Sequence, residues 1–176
     1  MKFYEALGLA PALTIDFEDL KKRFYERSRQ WHPDRFSRAS AAEQQQALDM
    51  TAVLNDAFRV LREPVARAEY FLKERGLELS KDAPPELLEE VFELNMVLEE
   101  LRDGDESARG QLVEAREKFA GMLAGAEEEL QTLFAKYDAS NDTATLDQVR
   151  GTLNRRRYIA NLVRDVEKEL HVNAAN

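Results

Sequence analysis

His32, Pro33 and Asp34 put an imidazole and a carboxylate two residues apart around a proline. Pro33 fixes its own φ and drives His32 into extended geometry, so both polar side chains are presented from a constrained turn. Nothing nearby completes a reaction site. The sequence has no nucleophile–base pair at local spacing and no glycine-rich phosphate loop. It also has no cysteine and only two histidines, which removes thiolate catalysis, thiolate-ligated zinc or iron–sulfur centres and a histidine-built metal site. What these residues can do is recognition. Between Lys21 and Arg38, seven basic residues (Lys21, Lys22, Arg23, Arg27, Arg29, Arg35 and Arg38) face only Glu26 and Asp34, in a chain of net charge −9. Such a window can steer an acidic protein partner. On charge alone it reads equally as a solvated helix face balancing acidic neighbours.

The turn must be held by helices on both sides. Asp16, with Asp19 three residues later, forms a variant of a capping box and starts the first substantial helix. Phe17, Leu20, Phe24 and Trp31 recur at helical spacing and predict one buried stripe, and Pro33 stops the helix near Trp31. Residues 34–40 read as a loop. A second helix is expected over about 41–62, with Leu48, Val53, Leu54, Ala57, Phe58 and Leu61 inward. Pro64 suits the first turn of a short helix that ends at Gly76, a left-handed cap.

Ser80 to Pro85, with two adjacent prolines, reads as a linker. Beyond it three helical stretches are expected, over about 86–101, 107–137 and 144–170, with breaks at residues 103–105 and 138–142. Short connections between long helices favour an antiparallel three-helix bundle. Residues 171–176 are expected to fray. The predicted organisation is therefore all-α: residues 1–76, a linker 77–85, a bundle 86–170 and a tail.

The first bundle helix is unusual. Residues 86–106 carry nine acidic residues and one basic one, Arg102. Leu87, Val91, Leu94, Leu98 and Leu101 form a heptad-like core stripe. Leu88, Phe92 and Met96 form a second stripe at i, i+4, i+8, flanked by Glu89, Glu93 and Glu100. It packs inward, or it is an exposed apolar strip with an acidic rim, suited to a partner with matching apolar and basic patches.

Other signals carry less. Asp103, Asp105 and Ser107 have partial calcium-loop spacing, but Ala108 stands where such a loop needs glycine. Gly121 and Gly125 either permit a close helix crossing or weaken their helix. Half of the Arg155–Arg156–Arg157 run is expected to pair with the acidic first bundle helix. No apolar run approaches a membrane span, the N-terminus lacks a signal-peptide pattern, and the acidic balance opposes nucleic acid as the main partner. The expected compartment is the cytoplasm.

Residues 1–76 resemble a J-domain. The matching residues are Phe3-Tyr4-x-x-Leu7-Gly8-Leu9, the helix before Trp31, Trp31-His32-Pro33-Asp34-Arg35-Phe36, Leu54-Asn55-Asp56-Ala57-Phe58-x-x-Leu61-x-x-Pro64 and Arg67-Ala68-Glu69-Tyr70. The resemblance implies a regulator that docks on a DnaK-type chaperone and stimulates its ATPase. His32, Pro33 and Asp34 would be essential, with Arg23, Arg27 and Arg35 in the basic face. A J-domain, a linker and an acidic three-helix bundle together resemble the HscB family of iron–sulfur co-chaperones. Leu88-x-x-x-Phe92-Glu93-Leu94-Asn95-x-x-Leu98 matches its first bundle helix, and Arg155-Arg156-Arg157-Tyr158-Ile159-x-x-Leu162 its last. That resemblance implies a patch that binds the cluster scaffold IscU and delivers it to the chaperone HscA. By position the patch is Leu88, Phe92, Glu93, Glu100 and Tyr158, with Met96 in the same stripe. Glu89 and Met96 depart from the family pattern, which often has an apolar and an acidic residue there. The cysteine-free start resembles the bacterial form, implying no metal and no cofactor. A general J-domain adaptor for another client, and a helical interaction protein without chaperone coupling, are the alternatives. The first lacks the glycine/phenylalanine-rich and zinc regions such adaptors usually add.

Overall fold

The computed structural model describes residues 1–80 and 82–172. Its helices are α1 (Lys2–Leu7), α2 (Phe17–Gln30), α3 (Ala41–Leu61), α4 (Pro64–Lys73), α5 (Leu88–Arg102), α6 (Ala108–Ser140) and α7 (Thr143–Val172), with 3-10 turns at Pro33–Phe36 and Pro85–Leu87. The described residues are all-α: α1–α4 and the turn at Pro33–Phe36, followed by a three-helix bundle of α5–α7. It divides into two compact units. One takes Met1–Glu78 and the tip of α6, Tyr137–Ser140; the other takes Leu79–Lys136 and the chain from Asn141 onward.

Local chemistry sets most boundaries. The Asp16 carboxylate accepts from the Asp19 N–H at 2.7 Å and caps α2. Ser40 and Glu43 form a reciprocal capping box at the start of α3, and their hydrogen bonds hold the Glu43 carboxyl below the usual carboxylate range. Pro64 opens α4. Gly76 follows it at φ +71°, and the Leu77 N–H closes on the Leu72 carbonyl at 3.0 Å. The break expected over 138–142 is shorter: α6 runs on to Ser140, and the chain turns at Asn141, which has φ 51°. The Asp142 carboxylate then caps α7 through the N–H and hydroxyl of Thr145. His171 and Val172 are helical, so that part of the expected tail is not frayed; residues 173–176, like Lys81 of the linker, lie outside the described residues.

In the first unit α3 is central and packs on α1, α2 and α4. Phe24 stacks on Phe58 at 4.4 Å and the Thr51 hydroxyl donates to the Trp31 carbonyl at 3.2 Å, so α2 and α3 run antiparallel. Tyr4, Leu7, Leu20, Leu54, Leu61 and Phe71 fill the core. Two expected inward residues face out: Phe17 and Leu48 are half exposed. Phe17 meets Phe58 only at 6.5 Å, beyond the end of the packed stripe.

A buried arginine closes this unit. Arg67 donates to the carbonyls of Leu13 (2.8 Å) and Leu61 (2.6 Å). Asp138 accepts from the N–H groups of Leu13 (2.9 Å) and Thr14 (2.7 Å), and the Tyr4 hydroxyl donates to the Ala12 carbonyl at 2.7 Å. Burial lowers the pKa of Arg67, while Asp138 and Glu63 favour its charged form. Arg67→Met leaves both carbonyls without donors and should destabilise this unit by about 2–4 kcal/mol. A lower urea midpoint at unchanged slope would show it; an unchanged midpoint would exclude this role.

In the second unit Arg102 pairs with Glu169 at 3.1 Å and Arg155 with Glu86 at 4.0 Å, so α5 and α7 are parallel. Thr152 meets Glu129 at 3.0 Å, and Arg109 meets the Leu170 carbonyl at 3.3 Å, so α6 is antiparallel to α7. The expected core stripe points inward: Leu87, Leu94 and Leu101 are buried with Leu112, Phe119, Ile159 and Val166, and Val91 and Leu98 pack against them. The arginine run is paired differently from expectation. Arg156 binds Glu127 and Arg155 binds Glu129, both on α6; among the described residues only the longer Glu86 contact reaches the start of the acidic segment. Arg157 donates to Ser80 and Asn154. Gly121 and Gly125 have open space where a Cβ would stand, so neither serves a close helix crossing.

Candidate functional site

The loop between α2 and α3 is tied down at its base and free at its tip. Trp31 ends α2, and its ring lies 5.8 Å from that of Phe36 with planes 6° apart. Above this support His32 caps the turn Pro33–Phe36: its Nδ1 accepts from the Asp34 N–H at 3.3 Å, with the Asp34 carboxylate 3.6 Å away. A ring nitrogen used as acceptor leaves Nε2 to carry the proton and point away as a donor. His32, Asp34 and Arg35 are exposed and Pro33 is half-buried. The Arg35 guanidinium reaches back to the Arg29 carbonyl at 3.4 Å, which keeps positive charge beside the turn.

Arg23 is more restrained than its place in a basic face implies. Its Nε donates to Asp19 at 2.7 Å and its Nη1 to the Gly8 carbonyl at 2.6 Å, so it is a strut between α2 and the end of α1. Arg27 is exposed. Gly8 stands beneath both, at φ +65° in the left-handed region; a Cβ there would lie 3.1 Å from the Arg27 Nη2. Gly8→Ala should cost about 1–2 kcal/mol in backbone strain and push Arg27 aside. A melting temperature lower by about 3–8 °C is expected, and an unchanged one would remove the strain. Neither α1 nor a role for Gly8 is among the expectations above, although a short amphipathic segment ending in Leu7-Gly8 has the composition of a helix stop.

On α5 the second stripe faces solvent. Leu88 is 56% exposed, Phe92 66% and Met96 49%. Three large apolar side chains in line on one helix, beside Glu89, Glu93 and Glu100, form a surface that water solvates poorly. Tyr158 is half-buried, packs against the bundle core and has its ring centre 5.8 Å from the Arg157 guanidinium. Beside the strip, α5 and α6 enclose a groove of about 510 Å³ that shares Glu93, Met96 and Glu100 with it. The α6 wall of that groove lies outside the sequence expectations above, because its residues stand 11 or more positions from those of α5 and meet them only once the bundle forms. Among the described residues no cluster of histidine, aspartate and glutamate is placed to hold a metal ion, and no helix is long and apolar enough to cross a membrane.

Residues 2–70 match the DnaJ domain family and residues 83–167 the HSCB C-terminal oligomerisation domain. The chain is 36% identical over 157 residues to a co-chaperone protein HscB homolog of Neisseria meningitidis, covering 85% of this chain and 89% of that one. The chain belongs to the HscB co-chaperone family. A Vibrio vulnificus HscB homolog is 32% identical over 171 residues, covering 95% of each chain. The chaperone HscB of Vibrio cholerae superposes with a TM-score of 0.65 at 28% identity, over 96% of both chains. Human HscB shares the fold with a TM-score of 0.68 at 22% identity, over 95% of this chain and 81% of that one. The likeness spans both units, so the exposed loop and the exposed strip lie within the matched segments of one co-chaperone chain.

Proposed function

We propose that this chain is a cytoplasmic adaptor that docks on HscA through the His32-Pro33-Asp34 loop and presents IscU to it from the α5 strip. His32, Asp34, Arg27 and Arg35 meet the ATPase side of the chaperone, Pro33 holds the turn, and Arg23 braces the basic face. Leu88, Phe92 and Met96 meet the scaffold, with Glu93 and Glu100 reading basic residues at the rim. Tyr158 supports the patch from α7. The chain performs no chemistry of its own; it changes the rate of ATP hydrolysis in its partner.

The observation that carries this reading is the outward orientation of Leu88, Phe92 and Met96. An apolar strip left in water on a bundle whose core is already filled calls for a partner, and an acidic rim selects a basic one. The deciding experiment is the steady-state ATPase rate of purified HscA with this chain, with and without IscU. Stimulation by the chain, raised further by IscU, is the expected result. Stimulation indifferent to IscU would leave a J-domain adaptor for another client.

A further inference from the structure

We propose that Thr51 and Gln44 of α3 are positioning residues for chaperone coupling: they clamp the two limbs of the His32-Pro33-Asp34 loop and hold it in the shape that docks. The inference rests on the reading of that loop as the chaperone contact and adds two residues of the neighbouring helix to it. The loop's own bonds are short-range. The Arg35 N–H donates to the His32 carbonyl at 3.0 Å and the Ala39 N–H to the Phe36 carbonyl at 2.9 Å. Trp31 and Phe36, which stack, both belong to the loop. Such contacts give local shape but do not fix the direction in which the loop leaves the helices. Among the described residues, the α3 side chains that hydrogen-bond residues 31–39 are Thr51 and Gln44.

Thr51 takes the entering limb. Its hydroxyl shares its proton between the Trp31 carbonyl at 3.2 Å and the Ala47 carbonyl of its own helix at 2.8 Å. The bond within the helix sets the rotamer that aims the hydroxyl at the loop. Trp31 caps the end of α2, where carbonyls lack helical donors, and its carbonyl belongs to the planar peptide that leads into His32. Holding that carbonyl holds the plane from which the His32 Cα departs. Gln44 takes the leaving limb: its Nε2 donates to the Ala39 carbonyl at 3.1 Å and lies 3.5 Å from that of Ser37. Residues 44 and 51 stand two turns apart on one face of α3, about 10 Å along its axis. The tip between the two grips, with His32 and Asp34, stays exposed. A loop free to swing spends only part of its time in the docking shape. Apparent affinity then falls by that fraction, while the complex, once formed, is unchanged.

The ATPase rate of purified HscA, measured against the concentration of the full chain, tests this. Thr51→Val should raise the concentration for half-maximal stimulation about fivefold at an unchanged maximal rate, and Gln44→Met about twofold. Thr51→Ser keeps the hydroxyl and should stay close to the wild type. Gln46→Met makes the same change as Gln44→Met at an exposed position of α3 that makes none of these bonds, and should match the wild type. Nitrogen-15 relaxation should show lower order parameters at the His32, Asp34 and Arg35 amides of Thr51→Val, with α2 and α3 as rigid as before. Circular dichroism at the assay temperature checks that each variant is folded. An unchanged half-maximal concentration in Thr51→Val, an equal loss in Thr51→Ser, or a fall confined to the maximal rate overturns the clamp and leaves the docking of the loop intact. If the unmodified chain does not stimulate HscA, the docking reading and this proposal fall together.

Discussion

Replacing His32 with glutamine is expected to return the chaperone's ATPase to its unstimulated rate while leaving the fold of the chain intact. His32 is exposed, and its side chain makes one hydrogen bond among the described residues, Nδ1 accepting from the Asp34 N–H at 3.3 Å. Losing one exposed polar contact changes stability little, so the melting temperature should move by about 1 °C or less. Function depends on something glutamine does not reproduce. The imidazole uses one nitrogen to hold the turn and turns the other outward as a donor, on a rigid ring. A glutamine amide has an extra rotatable bond, cannot place both groups in that geometry, and loses rotamer entropy on docking. Pro33 and the Trp31–Phe36 stack fix the base of the turn, so the defect lies in the side chain and not in the loop. Circular dichroism melts run beside the ATPase assay separate the two effects. A His32→Gln protein that still stimulates would take the loop out of the coupling and transfer it to the exposed arginines.

Phe92→Ala should weaken IscU binding by about 30-fold or more, equivalent to about 2 kcal/mol, without destabilising the bundle. At 66% exposure Phe92 contributes little to the core, so truncation leaves no internal cavity. On binding, its ring would be the largest apolar group of the strip removed from water, which is why it should outweigh Leu88 and Met96. Glu93 and Glu100 should each matter less, and their effects should shrink as salt rises. Sedimentation of the same variant adds a separate readout, because the matched C-terminal family is described as an oligomerisation domain. Normal scaffold affinity, together with a dimer in the wild type that dissociates in the variant, would make the strip a contact between two copies of this chain.

Chain-local chemistry made most of the fold legible. The acceptors of Asp16 and Ser40, the ring of Pro64 and the left-handed geometry of Gly76 act within three or four residues, so they can be read without knowing what packs where. The His32-Pro33-Asp34 turn is legible for the same reason, since proline constrains its neighbours in any context. The alternation of two apolar stripes on α5 was visible too, and the heptad-like one is the buried one.

Which apolar residue faces water was decided by partners distant in the chain. Phe17 and Leu48 sit at helical spacing for burial, yet both are half exposed in the fold. Arg155 and Arg156 find their main partners on α6, because the antiparallel crossing brings Glu129 and Glu127 closer than the acidic segment. The tip of α6 continues past a turn-like composition because Asp138 is taken up by the Leu13 and Thr14 amides. The outward turn of Leu88, Phe92 and Met96 belongs here as well. Periodicity states that two stripes exist; only the filled core of the three-helix bundle, with no room for a second layer, determines that one of them remains on the surface.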